Sequence, residues 1–149
     1  MCSEFEVPAL REPVHPTALR VLVVDDEPDL IQVSSLALVM AGASVTATTE
    51  PERALEMLVG MGRGRWLPDV LVTDLMMPGM SGVELIRRSR ALGVRVPTLV
   101  ISSHGAGEEL LKLLRVGLDD WLSKPLHAAE FVQRVQSLAE MGRRMPWSS

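Results

Sequence analysis

The sequence predicts an α/β fold in which helices cover both faces of a parallel sheet. Short runs rich in β-branched residues alternate five times with longer segments of helical character, and strict alternation of this kind is typical of parallel sheets. The first run, RVLVVDD, lacks any polar and apolar alternation, which indicates a strand buried on both faces. We therefore expect five strand–helix units joined by right-handed crossovers.

The first two units carry clear helix-boundary signals. After the strand RVLVVDD, the segment EPDLIQVSSLALVMAG has Pro28 in a first helical turn and Gly42 where a C-terminal cap is expected. After the strand SVTAT, the segment TEPERALEMLVGMG has Thr49 and Glu52 at capping-box spacing. Each signal predicts a helix that follows directly on a strand.

The remaining three units repeat this organisation. The strand Asp69–Asp74 precedes a helix from about Gly82, where Ser81 and Glu84 again have capping-box spacing. The fourth unit is VPTLVIS with the amphipathic segment GEELLKLLRVG, and the fifth is LDDWLS with LHAAEFVQRVQSLAEMG.

Composition narrows the class of protein. A chain of 149 residues with 47% hydrophobic and 23% charged residues fits one soluble domain. A net charge of -4 argues against a nucleic-acid partner, and no apolar run approaches the ~20 residues of a membrane span. The first residues lack the apolar core of a secretory signal, and the single cysteine, Cys2, permits no intrachain disulfide. We expect a cytoplasmic protein without a membrane partner.

The domain organisation is expected to be simple. Residues 1–18 contain Pro8, Pro13 and Pro16 and are predicted to form a flexible leader. Residues 19–142 are predicted to form one domain, and residues 143–149 a short C-terminal tail.

Polar side chains end four of the five predicted strands. Asp25 and Asp26 end the first strand, Asp74 the third and Ser102 the fourth, while the fifth runs into Lys124. The carboxyl ends of parallel strands meet at one edge, where ligands of open α/β sheets bind. Taken singly, these residues could be helix caps, turn residues or surface groups. The occurrence of all of them at one edge of the sheet predicts a ligand-binding site.

Carboxylates brought together at that edge would require a cation. At ~4 Å each pair repels by about 4 kcal/mol at the effective dielectric of a protein surface. A site with oxygen ligands alone suits Mg²⁺ or Mn²⁺. Only two of the fifteen basic residues are lysines, Lys112 and Lys124, and a lysine places a compact positive charge on a flexible stem. Such a charge is suited to one phosphoryl oxygen, so a special role is predicted for Lys124.

These motifs resemble those of a known family. VLVVDDEPDL, VTDLMMPGMSG, VIS and WLSKPL match, in order and spacing, the motifs of receiver domains of bacterial two-component response regulators, over roughly Leu19 to Met141. The chain resembles single-domain chemotaxis regulators of this family in particular. The resemblance implies a flavodoxin-like doubly wound (βα)5 fold with strand order 2-1-3-4-5. It also implies a phosphoacceptor signalling domain that catalyses only its own phosphorylation and dephosphorylation.

The resemblance assigns roles to the predicted site. Asp74 would accept a phosphoryl group from a phosphohistidine of a sensor histidine kinase or a histidine phosphotransfer protein. Lys124 and Ser102 would hold the phosphoryl oxygens, and the Lys124–Pro125 peptide would be cis. The implied ligands of Mg²⁺ or Mn²⁺ are Asp26, Asp74 and the backbone carbonyl of Met76, with Asp25 holding metal-bound water.

The resemblance also implies switch and tuning residues. Ser102 and an aromatic residue on the fifth strand would form the switch; here the aromatic is Trp121, where tyrosine or phenylalanine is usual. A core position for Trp121 is the alternative. Met76 and His104 would tune the lifetime of the phosphoryl group, although His104 could equally be an exposed loop residue. Methionine cannot orient an attacking water, so autodephosphorylation would be modest unless His104 does so.

The implied output is protein contact. The face formed by the fourth helix, fifth strand and fifth helix would control an unknown downstream protein or form a homodimer, although Leu110, Leu113 and Leu114 could instead belong to the core. A stand-alone receiver is expected, with a domain of a longer regulator or hybrid kinase as the alternative. Other classes are a pseudo-receiver that is not phosphorylated and an aspartyl-nucleophile phosphohydrolase, which would have a second acid in place of Met76.

Overall fold

The computed structural model of the protein describes residues 5–6, 19–64, 67–103 and 107–144. These residues form a sheet of six strands in the order β1-β3-β2-β4-β5-β6, in which β1 alone is antiparallel. Counted from Arg20, the five parallel strands have the order 2-1-3-4-5 of the flavodoxin-like fold, which confirms the predicted fold. The strands are β1 Phe5–Glu6, β2 Arg20–Val24, β3 Ser44–Thr48, β4 Val70–Asp74, β5 Thr98–Ser102 and β6 Asp120–Ser123. The helices are α1 Pro28–Met40, α2 Pro51–Gly64, α3 Gly82–Ala91, α4 Gly107–Val116 and α5 Ala128–Arg144.

The central strands are buried on both faces, which explains why their sequences do not alternate. Val21 and Val23 of β2 pack in one core cluster with residues of α1 and α5, including Phe131. Leu22 and Val24 point to the opposite face and pack in a second cluster with residues of α2 and α3. Every residue of β4 and β5 is buried. The ends of these strands are therefore held rigidly between two layers of helices.

The two predicted capping boxes differ in outcome. At α3 the Ser81 hydroxyl accepts a hydrogen bond from the backbone N–H of Glu84 at 3.2 Å, as predicted. Helix α2 begins at Pro51, one residue later than an N-cap at Thr49 requires. The Thr48 hydroxyl instead accepts a hydrogen bond, at 3.1 Å, from the backbone N–H two residues further on.

A short strand precedes the parallel strands. Phe5–Glu6 lies within the predicted leader and pairs antiparallel with β3, Phe5 opposite Ala47 and Glu6 opposite Thr46. Residues 1–4, 7–18 and 145–149 lie outside the described residues. No sequence pattern indicates this strand, because two residues are too few to show a period.

The glycine that begins α3 fixes the end of β4. The Gly82 N–H donates a hydrogen bond to the Leu75 carbonyl at 2.9 Å. A β-carbon at position 82 would lie 2.5 Å from the Asp74 carbonyl oxygen and 3.2 Å from the Leu75 α-carbon. Helix α3 therefore packs directly against the backbone that carries Asp74.

We predict that Gly82→Ala lowers the free energy of unfolding by about 1–3 kcal/mol, because the added methyl group forces a shift of rigid backbone. Gly60→Ala is the matched control, since a β-carbon there meets nothing within 4 Å and alanine favours a helix interior by roughly 0.5–1 kcal/mol. Urea unfolding of both variants measures the difference. Equal stability of the two variants would contradict the packing described here.

Candidate functional site

Three acidic side chains meet at the carboxyl edge of the sheet. Asp25 and Asp26 follow β2, and Asp74 is the last residue of β4, the strand that pairs with β2. One carboxylate oxygen from each lies within 4.8 Å of the others. Asp25 is 6% exposed and Asp74 5% exposed, so water screens their repulsion only in part.

A single lysine faces this acidic cluster. Lys124 follows β6, and its Nζ lies 3.2 Å from Oδ2 of Asp74 and 3.9 Å from Oδ2 of Asp25. The same Nζ lies 3.4 Å from Oε1 of Glu27. Sequence reasoning missed Glu27, although it directly follows the acidic pair in the run DDE. Glu27 is exposed, so its side chain adds negative charge at the mouth of the site.

Backbone contacts place Lys124 and Ser102 at the same edge. Ser102 ends β5 in register with Ser123 of β6, and its carbonyl accepts a hydrogen bond from the Lys124 N–H at 2.8 Å. Ser102 is buried. The Lys124–Pro125 peptide is cis, as the family resemblance implied.

The electrostatics of the site follow from burial and charge. Burial raises the pKa of Asp25 to about 6; the Glu27 N–H, which donates to Oδ1 of Asp25 at 2.9 Å, opposes this rise, and the charge of Asp74 adds to it. Burial also raises the pKa of Asp74, against the opposing effect of Lys124. Burial alone would lower the pKa of Lys124, but the negative charges of Asp25, Asp74 and Glu27 oppose burial, and the pKa of Lys124 is raised.

The donor atoms of the cluster fit a small, hard cation. All three side chains offer carboxylate oxygens, which are the ligands that Mg²⁺ and Mn²⁺ prefer. Lys124 supplies one positive charge against the three clustered acids and Glu27. The site therefore keeps an excess of negative charge that a divalent ion would neutralise.

Other predicted site residues lie around this cluster. Met76 is 51% exposed, two residues beyond Asp74. Trp121 of β6 is 40% exposed, so the alternative in which it is a core residue is wrong. His104 lies outside the described residues.

Helix α4 is divided between core and surface. Leu113 is fully buried in a core cluster, and Leu110 packs against that cluster. The interpretation of these two leucines as core residues is confirmed. Leu114 is 58% exposed and Leu111 61% exposed, so the core interpretation is wrong for Leu114. These exposed leucines belong to the helix whose Leu113 packs in one cluster with Val100 of β5.

Comparison with known proteins identifies the family. The family model of the response regulator receiver domain matches residues 21–136, and the chain belongs to this family. Its members are signalling proteins rather than classical enzymes.

Individual relatives agree with this assignment. The transcriptional regulatory protein TrcR of Mycobacterium tuberculosis is 35% identical over 80% of this chain, which spans 45% of TrcR. An uncharacterised 14.6 kDa protein of Leptolyngbya boryana is 37% identical over 78% of this chain and 86% of its own length. The chain spans about half the length of most of the relatives described as transcriptional regulators, as with PhoB of Pseudomonas aeruginosa at 50%.

Solved structures show the same fold. The FixJ-N crystal structure is 30% identical, with a TM-score of 0.73, and the match covers 83% of this chain and 95% of FixJ-N. The receiver domain of the response regulator NarL from Mycobacterium tuberculosis is 29% identical, with a TM-score of 0.71 over 84% of this chain and 98% of that domain. Among the helices of the described residues, none is long and apolar enough to cross a membrane.

We predict that Asp25 makes stability depend on pH when divalent ions are absent. The folded-state pKa of about 6 exceeds the ordinary value of 3.8, so the folded state keeps a proton that the unfolded state releases between these values. The stabilising effect is full below about pH 4 and is lost as pH rises to about 6, a change of roughly 3 kcal/mol at one pKa unit per 1.36 kcal/mol.

Comparison of wild type with Asp25→Asn isolates this effect. Urea unfolding between pH 4 and 7 should show the variant gaining stability relative to wild type as pH rises, and Mg²⁺ should restore the wild type. An identical pH dependence in both proteins would contradict the raised pKa of Asp25.

Proposed function

We propose that the protein accepts a phosphoryl group on Asp74 and thereby switches its contacts with a protein partner. The donor would be a phosphohistidine of a sensor histidine kinase or of a histidine phosphotransfer protein. The supporting observation is the position of the Lys124 ammonium group, 3.2 Å from the Asp74 carboxylate, with oxygens of Asp25 and Asp26 within 4.8 Å of that carboxylate.

The proposed reaction exchanges one phosphorus bond for another. A carboxylate oxygen of Asp74 attacks phosphorus, a P–O bond forms, the P–N bond to histidine breaks, and the departing imidazole takes up a proton. The rigid end of β4 fixes the attacking oxygen. Lys124, which neutralises Asp74 before reaction, would then hold a phosphoryl oxygen, and the Ser102 hydroxyl a second one.

The acidic cluster would bind Mg²⁺ or Mn²⁺. Asp26, Asp74 and the backbone carbonyl of Met76 would be ligands, and Asp25 would hold metal-bound water. The ion would neutralise charge on the phosphoryl oxygens during transfer. Without the ion, the negatively charged phosphoryl group would have to approach the clustered carboxylates with Lys124 as the only neutralising charge among the residues named here.

The proposed output is a shift between two arrangements of the face formed by α4, β6 and α5. Phosphorylation would draw Ser102 toward Asp74, and Trp121 would turn inward behind it. Trp121 is partly exposed, and Leu111 and Leu114 are exposed. An inward turn of Trp121 would therefore change how much apolar surface this face presents to a partner. The same face could bind an unidentified downstream protein or form a homodimer.

Two positions beside Asp74 and Ser102 would set the lifetime of the phosphoryl group. Met76 offers no group that orients an attacking water, so we expect slow hydrolysis unless His104 supplies one. The decay of the phosphorylated mass in Met76→Asn and His104→Ala variants measures this, and unchanged decay in both would contradict it.

The setting of this function is also a proposal. Residues 19–142 would form the receiver, with residues 1–18 as a leader and residues 143–149 as a tail, in a cytoplasmic protein without a nucleic-acid or membrane partner. The net charge of -4 supports the absence of a nucleic-acid surface. Because several relatives are about twice as long as this chain, a place within a longer regulator or hybrid kinase is the alternative.

Incubation with Mg²⁺ and a small acyl-phosphate donor tests the proposed acceptor. Intact-mass measurement should show one added phosphoryl group on wild type and none on Asp74→Asn. Asp29→Asn, which changes an exposed acid on α1, is the matched control and should behave like wild type. Phosphorylation of Asp74→Asn would place the acceptor elsewhere, and an unmodified wild type would favour a pseudo-receiver.

A further inference from the structure

The outer edge of β3 is covered by the chain's own leader. Strand β3 would be the last strand on this side of the sheet, but Phe5–Glu6 pairs along it opposite Ala47 and Thr46. Because β1 is antiparallel, Glu6 lies toward the end of the sheet at which Arg20 begins β2. From Phe5 to Glu6, β1 therefore runs toward the end of the sheet at which the parallel strands begin.

Without this cover, β3 would be an unprotected edge. Residues 43–49, ASVTATT, contain neither a charged residue nor a proline, although these are the residues that usually block pairing at sheet edges. Uncharged segments rich in β-branched residues readily pair with a second strand.

The opposite edge differs from β3 in sequence and contacts. Strand β6 begins at Asp120, whose carboxylate lies 2.8 Å from Nη1 of Arg134. Lys124 and Pro125 directly follow the last residue of this strand. Charges and a proline therefore protect β6 directly, whereas β3 depends on being covered.

The leader carries the protective residues that β3 lacks. In the sequence, Glu4 precedes Phe5, Glu6 belongs to the strand itself and Pro8 follows two residues later. Acidic residues and a proline on an edge strand oppose further pairing. Within the described strand, Glu6 therefore gives the new edge that β1 creates a residue that opposes further pairing.

We propose that Phe5–Glu6 is a built-in cover that keeps β3 from pairing with β3 of a second copy of this chain. Pairing of two identical strands about a twofold axis is antiparallel, and a register centred on Thr46 would place the two Thr46 residues opposite each other. A two-residue strand makes few hydrogen bonds, so the cover opens more readily than the sheet unfolds. Self-association is then limited by how often β3 is uncovered.

The cover is independent of the proposed phosphorylation. It uses the outer edge of β3, whereas Asp74 lies two strands away at the end of β4. Failure of either proposal would leave the other unchanged.

Substitution of the cover tests the proposal by light scattering coupled to size-exclusion chromatography. Phe5→Pro removes a backbone N–H from the leader strand, and deletion of residues 2–7 removes the strand itself. We expect the dissociation constant of a dimer to fall by roughly tenfold or more in both, since the pairing-competent fraction rises. Hydrogen exchange in residues 44–48 should become faster in the monomeric fraction of Phe5→Pro.

A second substitution locates the new contact on β3. Thr46→Lys, added to Phe5→Pro, should restore the monomer because like charges would then face each other across the pair. Thr46→Ser in the same background is the matched control and should remain associated. Far-UV circular dichroism checks the fold, and Phe5→Pro decides the outcome if the deletion does not fold. A monomeric Phe5→Pro protein, or a dimer that Thr46→Lys leaves intact, would overturn the proposal.

Discussion

The ion pair between Lys124 and Asp74 is the interaction on which the site depends. Parallel strands bring Asp25, Asp26 and Asp74 to one rim of the sheet, where each close pair of charges repels by about 4 kcal/mol at an effective dielectric of 20. The Lys124 ammonium group, 3.2 Å from Asp74, offsets part of this repulsion. Burial raises the pKa of Asp25, and the charges of Asp74 and Asp26 add to this rise. The negative charge that remains at the rim is what makes a divalent ion an expected occupant.

The fold supplies the rigidity that this arrangement requires. Strand β4 is buried along its whole length, and Gly82 lets α3 pack against the carbonyl of Asp74. Two core clusters on opposite faces hold the strand, so its terminal carboxylate has little freedom to move away from its neighbours. The proposed switch from Asp74 to α4, β6 and α5 would depend on such limited freedom.

Much of the fold and of the candidate site could be predicted from the sequence, because the central strands lack alternation and four of the five predicted strands end in a polar residue. Strand order came only from the family resemblance, since local patterns carry no information on which strands are neighbours. Glu27 and Lys124 are 97 positions apart in the sequence. Their proximity arises only in the folded chain, so no local sequence pattern predicts it. Strand β1 exists only through its pairing with β3, so Phe5–Glu6 gave no signal of its own.

The most direct test of the central claim is the position of a bound ion. Crystals grown with Mn²⁺, with diffraction measured where manganese scatters anomalously, should show one strong peak among the carboxylates of Asp25, Asp26 and Asp74. Ligand distances to Asp26, Asp74 and the Met76 carbonyl should be those of direct coordination. A map without a peak at this rim, or with the ion bound elsewhere while Lys124 alone pairs with Asp74, would contradict the account.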